Sequence, residues 1–194
     1  MKQIIFGFAI VAASLSACSN NNSQSKENNT KSTDTAQTSV ETNNKEPEKL
    51  ASISEVLTAY LQLKNALAND NGKDAAAAGK TVSEAIQKID EASLTADQKK
   101  VFDDVRDDIK EHGEHISGNG DKIAHQREHF DMLSKDMYDL VKAFGSSQTL
   151  YHDHCPMYND GKGAMWLSES REIKNPYYGN AMPNCGEVIS TFNP

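Results

Sequence analysis

The chain has no basic block. Its 20 lysines and arginines are scattered among 28 aspartates and glutamates, giving a formal net charge of -8. Phosphate-backbone binding draws its affinity from clustered cations, so nucleic acid is excluded as a partner. There is no glycine-rich phosphate loop, and no nucleophile, base and orienting group at a recognisable spacing, so the chain does not read as an enzyme. His112 and His115 lack the glutamate and second histidine of a zinc-protease helix. Adjacent His154 and Cys155 do not make a thiol hydrolase, because the base must meet the sulfur in space. No internal repeat is present, and no apolar run is long enough to span a bilayer. Cysteine is scarce, with three in the chain, and Trp166 is the one tryptophan.

The longest apolar run, Ile4 to Ala13, follows Lys2 and leads into Leu15-Ser16-Ala17-Cys18. A short apolar stretch ending in small residues reads as an export signal over residues 1–17. The placement of Cys18 after Leu-Ser-Ala resembles a bacterial lipoprotein signal, in which that cysteine is acylated and becomes the mature N-terminus. Several acyl chains there would anchor the protein to a membrane without a spanning helix. Asn20, directly after the Cys18-Ser19 pair, is not the aspartate that retains many lipoproteins in the inner membrane, which points to an outer-membrane anchor facing the periplasm. Removing residues 1–17 takes away one positive charge, Lys2, so the net charge goes from -8 to -9. Residues 18–49 are rich in Asn, Ser, Thr, Lys and Glu and read as a disordered tether.

From Leu50 onward, about 145 residues remain, enough for one domain. The fold class is mainly α: an up-and-down four-helix bundle over residues 50–145, followed by an irregular lobe over 146–194. Leu50, Ile53, Val56, Leu57, Tyr60, Leu61 and Leu67 form the first apolar face, stopped by Asn69-Asp70-Asn71-Gly72. Asp74 is the expected cap of a second helix with Ala75, Ala78, Val82, Ala85, Ile86 and Ile89 inward. Thr95-Ala96-Asp97-Gln98 has the form of a capping box for a third helix carrying Val101, Phe102, Val105, Ile109 and Ile116. After the turn at Ser117-Gly118-Asn119-Gly120, a fourth helix carries Ile123, Phe130, Met137, Val141 and Phe144, and Gly145 closes it.

Polar residues interrupt these stripes. His112 lies between Ile109 and Ile116 and is expected to be a hydrogen-bonded core histidine. Arg127, between Ile123 and Phe130, is expected to pair with a carboxylate near a helix turn. His125 and His129 are one turn apart, a workable ligand spacing, but a helical wheel sets them opposite Ile123 and Phe130. A solvated polar face is the expectation there.

Beyond Gly145 the composition turns to Gly, Pro, Asn and Tyr, with no helical stripe. A loop region this long is functional or locally constrained. Trp166, Leu167, Tyr177 and Tyr178 supply apolar surface to anchor it on the helices. Cys155 and Cys185 admit two readings. Export permits a disulfide, which over such a loop would contribute roughly 3 to 4 kcal/mol. Alternatively Cys155-Pro156-Met157 and Met182-Pro183-Asn184-Cys185 each set a thioether near a thiolate. Folded together, they would present a four-sulfur site for Cu(I) or another soft ion. His152 and His154 are optional additional ligands that would admit Cu(II) or Zn(II). Under the disulfide reading, an exposed Tyr177-Tyr178 loop would contact another envelope protein.

Gln126-Arg127-Glu128-His129-Phe130, Ser134, Cys155-Pro156-Met157, Gly163, Trp166-Leu167-Ser168, Ile173, Asn175-Pro176-Tyr177-Tyr178-Gly179, Met182 and Cys185-Gly186 together resemble a family of uncharacterised bacterial envelope domains. They occur as lipoproteins and at the C-terminus of periplasmic adaptor subunits of copper and silver efflux pumps. The resemblance covers roughly Leu50 to Val188. It implies heavy-metal binding or delivery, with an efflux component as partner. His152 and His154 are not part of the family pattern.

Overall fold

The computed structural model describes residues 52–194. The expected signal segment 1–17, the expected acylation at Cys18, the expected tether 18–49 and Leu50 of the first apolar face lie outside the described residues. Four helices follow in order: α1 (Ser54–Ala68), α2 (Gly72–Ile86), α3 (Ala96–Gly118) and α4 (Ile123–Phe144). Among the described residues, no helix is long and apolar enough to cross a membrane.

Helix boundaries follow local chemistry. The Thr95 side chain accepts from the Gln98 backbone while Gln98 reaches back to the Thr95 N–H, so the expected capping box opens α3. The cap of α2 is Asn71 and not Asp74. Its side-chain oxygen accepts the Asp74 N–H at 3.1 Å, and Asp74 sits inside the first turn, where a carboxylate faces the positive helix end. Gly145, at φ +76°, ends α4 in a conformation that costs glycine little.

Consecutive helices pack as neighbours. Where α2 crosses α3 the backbones nearly touch: a Cβ on Gly113 would come within 2.8 Å of the Gly79 carbonyl. Gln126, fully buried, donates to the carbonyls of Gly72 at 2.9 Å and Ile116 at 3.0 Å, fastening the ends of three helices together. The interior is built on Tyr60, Leu63, Leu67, Ile86, Ile109, Ile116, Phe130 and Met137. Tyr60 and Phe130 stack with centroids 5.3 Å apart.

The lobe beyond Gly145 is more regular than its composition suggests. It forms a three-stranded antiparallel sheet, β1 (Leu150–Cys155), β2 (Ala164–Ser168) and β3 (Glu187–Phe192), in the order β2-β1-β3. Tyr151 pairs with Ser168 and Cys155 with Ala164, and on the other edge Leu150 pairs with Phe192. An irregularity on the β3 side falls between His152 and Asp153.

Trp166, Leu167 and Tyr177 are buried and anchor the lobe as expected. Tyr177 is therefore not an exposed contact residue: it is 2% exposed and stacks on Tyr158 with centroids 4.4 Å apart. Buried polar groups complete the seam, because a desolvated donor or acceptor without a partner is costly. The Tyr60 hydroxyl accepts the Leu167 N–H at 3.0 Å. Lys64, 1% exposed, lies 2.8 Å from Glu169 and donates to Ser168 at 3.3 Å. Arg127 does pair with a carboxylate near a helix turn. It reaches Asp70 at 2.5 Å and donates to the carbonyls of Leu67 at 2.9 Å and Pro176 at 2.8 Å.

Candidate functional site

The Asn175-Pro176-Tyr177-Tyr178-Gly179 turn assembles the two cysteine segments. The Asn175 side-chain oxygen accepts the backbone N–H groups of Tyr177 at 2.8 Å and Tyr178 at 3.0 Å, closing a tight turn. Its amide donates to the Cys185 carbonyl at 2.6 Å, and its backbone N–H to the Pro183 carbonyl at 2.8 Å. The Tyr178 hydroxyl donates to the Met157 carbonyl at 2.9 Å, which holds the Cys155-Pro156-Met157 segment to the same turn. Gly186 permits a close pass, since a Cβ there would lie 2.8 Å from the Trp166 ring.

Cys155 and Cys185, thirty residues apart, are brought sulfur to sulfur at 2.7 Å, and both are free thiols. Cys155 is fully buried and Cys185 partly so. Burial, reinforced by the neighbouring Cys155, pushes the Cys185 thiol up to about 11, so it is protonated at neutral pH. A tetrahedral ion with metal–sulfur bonds of about 2.3 Å needs its sulfurs about 3.8 Å apart. An ion would therefore have to spread this pair by about 1 Å, whereas oxidation would draw it together.

The other sequence-derived ligands divide. Met157 stands at the rim of the thiol pair, its backbone N–H directed at the Cys185 sulfur and its side chain 55% exposed. Met182 is half-buried, and its carbonyl accepts the Cys185 N–H at 3.2 Å. Strand alternation points His152 and His154 to the face of β1 opposite Cys155. His152 is buried against the Tyr138 ring, centroids 4.4 Å apart, with its Nδ1 3.3 Å from the Ser190 hydroxyl. Burial lowers its basicity, and His154 adds to the effect. The His154 ring packs over Gly163, where φ is +82° and a Cβ would run into the imidazole.

A second group of potential ligand side chains lies between two helices. α3 and α4 form an antiparallel hairpin, and its turn end gathers His112, His115, His125 and His129. One ring nitrogen from each of His115, His125 and His129 lies within 4.8 Å of the others. His115 and His129 stack with centroids 4.4 Å apart and planes at 5°. His112 is half-buried, with its Nδ1 3.2 Å from the Nδ1 of His129. His125 and His129 thus border the partner helix, with His125 still partly open to solvent as expected, and the hydrogen bond expected of His112 is made to another imidazole. Burial lowers the basicity of His112 and His129, and for His129 the neighbouring imidazoles add to it. The available signal was the HxxH pair at His112 and His115 together with the i,i+4 pair at His125 and His129, on helices joined by a short turn.

The fold is a helical bundle with a small sheet, carrying two separate groups of side chains of types able to ligate a metal. A domain of the uncharacterised family described as "Protein of unknown function (DUF3347)" is found at residues 56–149. That stretch runs from α1 to the residue before β1, so it contains all four hairpin histidines and neither lobe cysteine. No curated protein and no solved structure matches the chain.

Proposed function

We propose that this is a lipid-anchored, periplasm-facing binding protein for a soft heavy-metal ion, Cu(I) above all, which it buffers or passes to efflux machinery. The observation that carries the reading is the meeting of Cys155 and Cys185 at 2.7 Å beside the exposed thioether of Met157. Thiolate and thioether sulfur favour soft, monovalent copper or silver over hard cations. The pair is built, not accidental, because the Asn175 and Tyr178 hydrogen bonds hold both segments. Met182 is the fourth sulfur. His152 and His154, directed to the other face of β1, are left out of the set. Acylation of Cys18 and delivery to an efflux component rest on the sequence resemblances.

Metal analysis with thiol titration on reduced, tag-free protein tests the reading. One equivalent of Cu(I) per wild-type chain, lost in Cys155→Ser, is the expected result, and absence of stoichiometric binding would sink it. A second reading makes the pair a structural disulfide in an envelope interaction module. The sulfur contact and the burial-raised Cys185 thiol favour it. An intact mass lower than the reduced value by two hydrogens, retained in the presence of Cu(I), would establish it.

A further inference from the structure

We propose that His115, His125 and His129 form a separate site for a borderline divalent cation of the zinc and copper(II) class, with His112 orienting His129. This site is independent of the thiol pair. It is formed by the helical hairpin, while Cys155 and Cys185 belong to the lobe.

Three features support a ligand set over a chance surface grouping. The first is convergence: three imidazoles drawn from two helices place one nitrogen each within 4.8 Å. An ion bound to nitrogens at about 2.0 Å needs ligand nitrogens about 3.3 Å apart, so rotation of the stacked His115 and His129 rings and a closing of up to about 1.5 Å complete the site. His115 and His125 are exposed enough to make it, with side-chain accessibilities of 47% and 41%.

The second is the outer partners. A metal-binding imidazole gives its other ring nitrogen to a carboxylate or similar group, which sets the tautomer and aims the ligating nitrogen. The His125 Nδ1 lies 3.0 Å from the Glu128 carboxylate, and the His129 Nδ1 lies 3.2 Å from His112. Both α4 histidines therefore have Nδ1 engaged and Nε2 free. On α3, Glu111 stands 3.6 Å from the His115 Nε2, which leaves that ring's Nδ1 open.

The third is donor type. Three imidazole donors with no thiolate suit Zn(II), Cu(II), Ni(II) or Co(II), and do not favour Ca(II), Mg(II) or a soft monovalent ion. A three-histidine set leaves a fourth position for water or for a ligand from a partner. The site therefore takes a different ion from the thiol pair, and either can exist without the other.

The experiment uses the full chain carrying Cys155→Ser and Cys185→Ser, so that the thiol site is removed. Zn(II) titration by calorimetry should give one equivalent per chain. Cu(II) added to the same protein should show an electron paramagnetic resonance spectrum with superhyperfine splitting from three nitrogens. His125→Gln and His129→Gln should each weaken Zn(II) binding at least tenfold and reduce the nitrogen count. His112→Leu should weaken it about tenfold with the nitrogen count unchanged. His112→Asn, whose amide occupies the place of the Nδ1, should restore it. Absence of stoichiometric Zn(II) binding by the cysteine-free chain overturns the site, as does a Cu(II) spectrum with fewer than three nitrogens. Equal loss in His112→Leu and His112→Asn overturns the orienting role of His112.

Discussion

Arg127 is the joint at which bundle and lobe are most exposed to a single change. Its guanidinium bonds the Leu67 carbonyl at the end of α1, the Asp70 carboxylate in the following turn and the Pro176 carbonyl in the lobe. Asp70, held at φ +54°, uses its second oxygen to accept the Asn180 N–H at 2.9 Å, so the connection passes through both residues. Replacing Arg127 by alanine leaves two carbonyls without their charged donor. Hydrogen bonds of this kind are worth about 1.5–3 kcal/mol each, reduced where water re-enters. The Asp70 contact adds only about 1 kcal/mol, because that carboxylate is 38% exposed and screened. The total is a loss of about 3–5 kcal/mol. At a urea slope near 2 kcal/mol/M, the midpoint should fall by roughly 2 M. Buried Trp166 is a fluorescent reporter for the transition. Arg127→Lys keeps the charge but not the planar fork, and should lose about half as much. The Asp70 contribution has a definite sign. Arg127 lowers the Asp70 pKa below its ordinary 3.8, so this stabilisation is present above that value and is lost as the pH falls through the folded-state value. The gap between wild type and Arg127→Ala should narrow in that direction. A loss below 1 kcal/mol at neutral pH, or a gap that widens in acid, would refute the assignment.

Two further outcomes follow from packing and burial. In Gly113→Ala, the helix preference for alanine is worth about 1 kcal/mol, but the new Cβ meets the Gly79 carbonyl at 2.8 Å and the Ser83 backbone nitrogen at 3.0 Å. Backbone cannot rotate away, so overpacking should win and cost a net 1–2 kcal/mol or so, read as a lower Tm; a raised Tm would contradict the close crossing. Burial, with Asp108 and Asp139 adding, pushes Asp136 up to about 6. A raised carboxyl costs stability as the pH climbs from its unfolded value through the folded one. Asp136→Asn should therefore stabilise by about 1–2 kcal/mol above pH 6, after allowance for partial solvent access, and by nothing near pH 3. Equal effects at both pH values in chemical denaturation would count against it.

The four helices were legible because their apolar residues recur at helical spacing over long stretches, and because Thr95, Gln98 and Gly145 carry explicit end signals. Asp74 was misassigned as a cap because Asn71, three residues earlier, is an equally good acceptor. Only the position of the first turn decides which one reaches an unpaired N–H. Arg127 was legible as a residue needing an anion, though its two carbonyl partners were not, since backbone acceptors leave no trace in side-chain patterns. The sheet was hidden for a different reason. Leu150, His152, Asp153 and Cys155 are all buried, so β1 is covered on both faces and shows no apolar alternation. β3 is mostly exposed and offers little more.

The histidines show where a helical wheel stops being informative. It divides a helix into a core side and a solvent side, whereas a helix in an antiparallel hairpin also has flanks that face its neighbour. His129 lies about 100° around α4 from Phe130, and His112 stands between Ile109 and Ile116 on α3. Each borders its own apolar stripe, and the borders of adjacent helices meet. Residues assigned to solvent on one helix and to the core on the other therefore end 3.2 Å apart. Residue type alone marks the thiol pair in the sequence, whereas position on a single helix hides the histidines. Burial sharpens the contrast. It raises the Cys185 thiol, so a metal at the thiol pair would have to displace a tightly held proton, while it lowers the basicity of His112 and His129. A divalent ion at the proposed hairpin site would therefore load without first deprotonating a thiol.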